Sequence, residues 1–392
     1  MKQVKLEKSN KKSCIVSLGT RITLNGRNVR IVDIIYLRDY MINVLNRQCC
    51  DLISYRTKYE DDMPDYFKDV REIDVNDYDE LIIYNATPNA FGGIFKGEAI
   101  EIYKKMINFN GEIWYFFCEQ KAPPIDFSRS IKYKHEKYGE VKNTWNIPVD
   151  MEFHDQWRDK VYKNMKIMFV GDDYEKYVDL YFKLRTNSKG KINDYGIWDL
   201  NRDAEWAVLP LFDYYSEKEM YEEKTTDYPI EHKEYDLVYF GNNRSSKRHK
   251  IITNLYDHEE LKTYFIGYET KFKNSKPTEI NYITHDKLFE ELSKSWATVV
   301  MCEDTHNGNI RTPRFFESML IDMVAFIWYE YDPDKKFIDN KELQDFIYIK
   351  SYDELKEKLD KIKNDEAFYR HIIKLERESV KKYYEKSIKM YE

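Results

Sequence analysis

The feature that most constrains this chain is an alternation, run through twice, of short apolar stretches and amphipathic stretches of helical period. In the first half the strand-like stretches are Cys14–Leu18, Asp51–Tyr55, Leu81–Tyr84, Glu112–Phe117, Lys166–Val170 and Ala207–Phe212. Helical spacing fits Asp33–Arg47, where Ile34, Leu37, Met41, Val44 and Leu45 share one face, and also Gly97–Phe109 and Glu175–Arg185. The alternation restarts after residue 230. Strands fit Leu237–Phe240, Lys262–Ile266, Ala297–Cys302 and Val324–Tyr329, and helices fit Ser245–Tyr256, His285–Ser295 and Thr312–Ile321. Apolar strands alternating with amphipathic helices imply parallel sheets covered on both faces.

At 392 residues the chain exceeds what one core usually serves. The expected architecture is α/β, with two Rossmann-like doubly wound domains facing a central cleft. The first spans 1–212 and the second 231–371. Residues 213–230, poor in aliphatics and rich in charge, read as the linker. The tail from Tyr352 reads as almost wholly helical, and its last stretch, 372–392, is long enough to pack back on the first domain. In such folds ligands bind beyond the carboxyl ends of the strands, so chemistry is expected just after strands.

Composition narrows the setting. The longest apolar runs, Ala297–Cys302 and Val324–Tyr329, are too short to span a bilayer, and the basic N-terminus lacks the apolar core of a secretory signal. It reads as a short disordered leader, with a DNA-touching arm as the alternative. Cys14, Cys49, Cys50, Cys118 and Cys302 have no metal-ligand spacing and read as free thiols in a reducing, cytoplasmic compartment. The net charge of -7 argues against a generic DNA binder but leaves room for a local basic face.

Four stretches carry candidate chemistry. In LVYFGNNRSSKR (Leu237–Arg248) a strand ends at Gly241, a polar turn holding Asn242 follows, and a helix begins near Ser245. Glycine permits close backbone approach, and the helix start offers unpaired N–H groups to an anion. Arg244 and Arg248, four apart, add two guanidinium forks suited to a diphosphate. An ordinary strand–turn–helix junction with surface arginines has the same pattern. In NGNIRTPRFFE (Asn307–Glu317), Arg314 and Glu317 share a helix face; they suit a phosphate and a ribose diol, or form a plain ion pair. In FFCEQKAPP (Phe116–Pro124), Glu119 follows a strand where a general base would stand, or is a polar loop start. Gly19 closes the first strand, and Asp33 is a plausible helix cap. Gly267, after the strand Lys262–Ile266, is a further donor-side candidate. Basic residues in Arg129–Lys142 and Lys183–Lys191, with Lys132, Lys134, Lys183, Arg185 and Lys189 foremost, are candidate DNA-phosphate contacts or solvated faces. No acidic cluster dedicated to a metal is evident.

Taken in order, these pieces resemble the DNA β-glucosyltransferase family of T-even bacteriophages. The most specific stretch is EIDVNDYDELIIYNATPNAFGG (Glu72–Gly93), followed by Glu112–Pro123, GNNRSSKR and the Arg314/Glu317 helix. The resemblance implies a GT-B type fold and inverting transfer of glucose from UDP-glucose. The implied acceptor is 5-hydroxymethylcytosine in double-stranded DNA, flipped from the stack. It implies Glu119 as general base, where the family has aspartate, and Asp33 as a sugar contact. Gly241, Asn242 (serine in the family), Arg244 and Arg248 fall on the diphosphate turn, Arg314 on a phosphate contact, Glu317 on the ribose and Ile283 on the uracil. A Mg2+ or Mn2+ ion is an expected diphosphate counter-ion. The protein is expected to be a monomer in the infected host's cytoplasm, touching no membrane and protecting phage DNA from restriction. Two alternatives stay open. One is a glycosyltransferase with another sugar or acceptor, such as 5-hydroxymethyluracil DNA or a glycan. The other is a non-catalytic nucleotide-sugar or DNA-binding protein.

Overall fold

The computed structural model describes residues 2–17, 30–54, 65–84, 105–117, 132–135, 139–142, 156, 160, 164–170, 205–209, 225–241, 246–267, 271–280, 283, 285–302, 307–308 and 311–389. They fall into two compact units, Met1–Tyr214 and Tyr215–Met390.

The first unit holds strands β1 (Lys2–Gln3), β2 (Lys12–Ser17), β3 (Cys49–Ser54), β4 (Phe67–Asp69), β5 (Glu80–Tyr84), β6 (Glu112–Phe117), β7 (Lys132–His135), β8 (Gly139–Lys142), β9 (Lys166–Val170) and β10 (Glu205–Leu209). Strands β7 and β8 pair antiparallel by themselves. The other eight form one all-parallel sheet in the order β1-β10-β9-β6-β5-β2-β3-β4. Ile15, Leu52, Ile82 and Ile167 are fully buried, as the two-sided cover of a parallel sheet demands. Helix α1 (Arg30–Asn43) packs on β2 and β3 through the buried Leu37 and Met41. It ends where Asn46 takes a left-handed φ of 56°, a conformation asparagine tolerates.

Two expectations are corrected here. The N-terminal residues are not a disordered leader: β1 pairs in parallel with Glu205 and Trp206, the Val4 N–H donates to the Trp206 carbonyl (2.8 Å), and Leu6 is buried. A sheet edge with unpaired backbone groups recruits even a charged dipeptide. Asp33 is not a helix cap, because α1 begins at Arg30 and places Asp33 inside its first turn. Cys14, Cys49, Cys50 and Cys302 are free thiols. Burial pushes the Cys14 and Cys50 thiols well up, so they pack as small hydrophobes.

The second unit holds β11 (Tyr235–Phe240), α2 (Ser246–Tyr256), β12 (Thr263–Ile266), β13 (Thr278–Ile280), α3 (His285–Ser293), β14 (Ser295–Val300), α4 (Pro313–Leu320), β15 (Val324–Trp328), α5 (Lys341–Ile347), β16 (Tyr348–Ile349), α6 (Tyr352–Asn364) and α7 (Glu366–Lys389). Its sheet runs β13-β12-β11-β14-β15-β16, all parallel. This is the doubly wound order 3-2-1-4-5-6, in which the chain reverses direction across the sheet between β11 and β14. Helix α7 lies on α4, α5, α6 and β15 within this unit.

The chain enters the second unit through a buried charge cluster. Asp322 accepts from the Tyr228 N–H (3.1 Å), Arg370 (2.8 Å) and the Tyr369 hydroxyl (3.1 Å), and Lys233 lies 3.3 Å away. Arg370 also holds the Tyr228 carbonyl (2.6 Å), and Arg377 holds Asp227 (2.7 Å). Burial pulls the Lys233 ammonium down to about 8, against the pull of Asp322.

Candidate functional site

A doubly wound sheet leaves a crevice at the carboxyl ends of the two strands that flank its reversal. In the second unit these are the ends of β11 and β14. Strand β11 runs into Gly241, whose φ of +105° is one that only glycine adopts readily. Strand β12 ends at Gly267, φ +79°. A methyl group added to Gly267 would stand 3.9 Å from the Cα of Gly241, so the two turns are adjacent.

Arg314 closes this corner. It lies in the first turn of α4, which Pro313 opens at a helix position that needs no N–H. The preceding Thr312 N–H donates to the buried Tyr331 hydroxyl (2.9 Å), which fixes the entry of the helix. The half-buried Arg314 side chain reaches the end of β11, and its Nη2 lies 2.0 Å from where a Gly241 Cβ would stand. Its guanidinium carbon lies 5.3 Å from the Tyr239 ring centre and 5.4 Å from that of Phe240. Burial works against the arginine's charge, but Tyr239, Cys302 and Glu317 act the other way and the net shift is upward. The arginine is therefore a fixed cation at the reversal point of the sheet.

The other donor-side residues distribute as follows. Arg248 lies in the first turn of α2 and is buried. Glu317 follows Arg314 by about one turn of α4 and is half-buried. Ile283, beyond β13, packs against a cluster of Val238, Phe240, Tyr264, Ile266, Leu292, Ile321 and Met323. At the end of β15, Glu330 pairs with Lys247 of α2 (2.9 Å), a bond that holds its carboxyl below the usual range. Tyr239 was not among the residues singled out from sequence. Its one signal was a hydroxyl in the otherwise apolar stretch Leu237–Phe240, two residues before the turn glycine.

Glu119, Gly19, Asn242, Arg244, Lys183, Arg185 and Lys189 lie outside the described residues. So do the side chains of Asp33, Lys132 and Lys134. In the sequence, Glu119 comes two residues after the end of β6 and Gly19 two residues after the end of β2. Among the described residues no group of three His, Cys, Asp or Glu side chains is placed to hold a metal, and no helix is long and apolar enough to cross a membrane.

Comparison with known proteins finds the following likenesses. Residues 11–146 match the family model of bacteriophage T4 beta-glucosyltransferase. The chain is 25% identical over 386 residues to the DNA beta-glucosyltransferase of Enterobacteria phage T4, covering 95% of each. Among solved structures, that of the T4 phage enzyme with its UDP-glucose substrate superposes with a TM-score of 0.66 at 21% identity, covering 97% of each chain. The same enzyme with UDP and Mn2+ gives 0.67 at 20% identity, again over 97% of each chain. The fold is therefore of the GT-B type, each of its two units built on a parallel sheet.

Proposed function

We propose that this chain, a relative of the bacteriophage T4 β-glucosyltransferase family, transfers glucose with inversion from UDP-glucose to the hydroxymethyl group of 5-hydroxymethylcytosine in double-stranded DNA. It is a glycosyltransferase. The observation that carries the donor half of the reading is Arg314 seated on Gly241 where the second sheet reverses. A cation fixed there, on a glycine turn, suits a diphosphate leaving group.

Each residue then has a role. Gly241, Asn242, Arg244, Arg248 and Arg314 take the diphosphate, Glu317 the ribose and Ile283 the uracil, with Gly267 and Gly19 giving room to the donor. As the negative charge of the leaving UDP grows, preset cations stabilise it without reorganising. Glu119 accepts the proton of the acceptor hydroxyl as that oxygen attacks the anomeric carbon. Asp33 contacts the sugar. Lys132, Lys134, Lys183, Arg185 and Lys189 meet DNA phosphates, and the target base leaves the stack, which costs a few kcal/mol. A Mg2+ or Mn2+ ion, when bound, supplies further charge to the diphosphate, as the Mn2+ complex of the T4 enzyme suggests by analogy. The setting is the infected host's cytoplasm, the outcome protection of phage DNA from restriction, and the working form a monomer. The domain roles follow: 1–212 for the acceptor and 231–371 for the donor, with 213–230 between them and 372–392 reaching back to the first.

The test is incubation with UDP-glucose and duplexes carrying 5-hydroxymethylcytosine, 5-hydroxymethyluracil or neither, reading UDP release and nucleoside mass. A gain of one hexose on 5-hydroxymethylcytosine, lost in Glu119→Ala while UDP binding persists, is the expected result. A gain only on 5-hydroxymethyluracil replaces the acceptor. No gain on either base overturns the reading.

A further inference from the structure

We infer that Arg311 is a positioning residue for Arg314 and that Tyr383 of helix α7 completes its seat, so that α7 supports the donor's phosphate site; the inference rests on the nucleotide-sugar reading above. Arg311 stands two residues before the start of α4. Its guanidinium carbon lies 4.7 Å from the centre of the Phe337 ring and 4.4 Å from that of Tyr383, distances at which an aromatic face attracts a cation. Its Nη2 donates to the Lys336 carbonyl (3.3 Å). One planar fork thus joins three segments of chain: the entry of α4, the loop after β15 and the later half of α7.

The partners are themselves held. The buried Asp332 accepts from the Lys336 N–H (3.1 Å), the Phe337 N–H (2.9 Å) and the Tyr348 hydroxyl, which fixes the loop that carries the Phe337 ring. That ring packs on Tyr331 (5.3 Å), whose hydroxyl accepts from the Thr312 N–H (2.9 Å). Beyond Arg314, Phe315 meets Phe337 edge-on (5.8 Å, 75°) and Phe316 tilts against Tyr383 (5.3 Å). Residues on both sides of Arg314 therefore bear on the same two rings, and the first turn of α4 is set in one orientation. From that turn the Arg314 side chain fills the space over Gly241. A cation placed before the ligand arrives stabilises its charge without reorganising. Lysine cannot do the work of Arg311, because an ammonium lacks the planar face that lies against rings while a fork reaches a carbonyl.

The prediction separates phosphate from nucleoside. UDP and uridine are titrated by calorimetry into the wild type, Arg311→Ala, Arg311→Lys, Tyr383→Phe, Tyr383→Ala, Arg314→Ala and the double variant lacking both arginines, with folding checked by chemical denaturation. Arg311→Ala should weaken UDP about fivefold, the scale of one cation–π contact, and leave uridine unchanged. Arg311→Lys and Tyr383→Ala should show the same split, and Tyr383→Phe, which keeps the ring, should restore wild-type binding. In the Arg314→Ala background the loss of Arg311 should add nothing, because the group it positions is gone. Four outcomes overturn the proposal: UDP affinity unchanged in Arg311→Ala, equal losses for UDP and uridine, a fivefold loss that persists without Arg314, or a loss in Tyr383→Phe as large as in Tyr383→Ala. If the wild type binds neither ligand, the donor reading falls and takes this one with it. The wild-type trace tells that case from failure of Arg311 alone. Should Arg311→Ala not fold, the split between UDP and uridine must appear in Arg311→Lys and Tyr383→Ala, and its absence there overturns the proposal.

Discussion

Two arginines, one in each unit, are held in opposite ways. Arg47, at the amino edge of the first sheet, is enclosed by acceptors. Its Nε and Nη2 donate to both oxygens of the buried Glu80 (2.9 and 3.1 Å), and its Nη1 donates to the Glu7 and Leu45 carbonyls (2.8 and 3.0 Å) and the Ser9 hydroxyl (2.8 Å). Arg314, at the carboxyl edge of the second sheet, lies within 5.4 Å of the Tyr239 and Phe240 ring centres and fills the space over a glycine. The contrast teaches that a matched, fork-to-fork carboxylate spends an arginine's charge on the fold, whereas an aromatic seat fixes the geometry, with Glu317 the carboxylate that acts on the charge of Arg314. Concavity alone misleads here. A cavity of about 290 Å3 opens beside Arg47, but Lys11, Lys166, Glu112 and Glu205 on its walls already neutralise one another (2.5, 2.7 and 3.4 Å).

The largest effect that would break this comparison is Arg47→Ala. It strands Glu80 in the core, and a loss of about 3–5 kcal/mol in chemical denaturation is expected, with UDP affinity of the folded fraction intact. Arg314→Ala should do the reverse. UDP affinity should fall roughly tenfold to a hundredfold by calorimetry, as for a lost hydrogen bond to charge, while stability changes by about 1 kcal/mol or less. A large loss of stability in Arg314→Ala would erase the distinction.

The smallest effect sharpens it with a buried acid that, among the described residues, forms no ion pair. Glu376 of α7 is fully buried. It accepts from the Ala325 N–H (2.9 Å) through one oxygen, while the other has no hydrogen-bond partner among the described residues. Burial pushes its carboxyl well up. The folded state therefore keeps its proton longer than the unfolded chain. The associated stability is complete below the unfolded value of about 4.3 and drains away as pH rises through the folded value. Glu376→Gln removes that term. It should match the wild type within about 1 kcal/mol in acid and be increasingly the more stable protein as pH rises, read from melting temperatures across a pH series.

How much of this was legible in the sequence depended on how local the cause was. Glu112–Phe117 and Lys166–Val170 were read to the residue, since apolar runs buried on both faces need no partner to be recognised. Lys2–Gln3, Phe67–Asp69, Thr278–Ile280 and Tyr348–Ile349 were not. Strands of two or three residues have no period, and distant partners define them. The charged tail read as helix nearly throughout, but its break at Asp365 depends on that carboxylate accepting the Phe368 N–H (2.9 Å). At the site, Gly241 announced itself by the turn it makes. That Arg314 folds onto it, close to the Tyr239 ring, required knowing that α4 follows the strand beside β11, which is a fact of topology rather than of pattern.

The edge strand at the N-terminus has a consequence for biosynthesis. Lys2 and Gln3 leave the ribosome about two hundred residues before their partners, Glu205 and Trp206. At roughly 5–20 residues per second, β1 waits on the order of 10–40 s for its counterpart to be translated. The first sheet is sealed at this margin only as its own unit nears completion, and translation speed rather than loop closure sets the earliest moment at which that can happen.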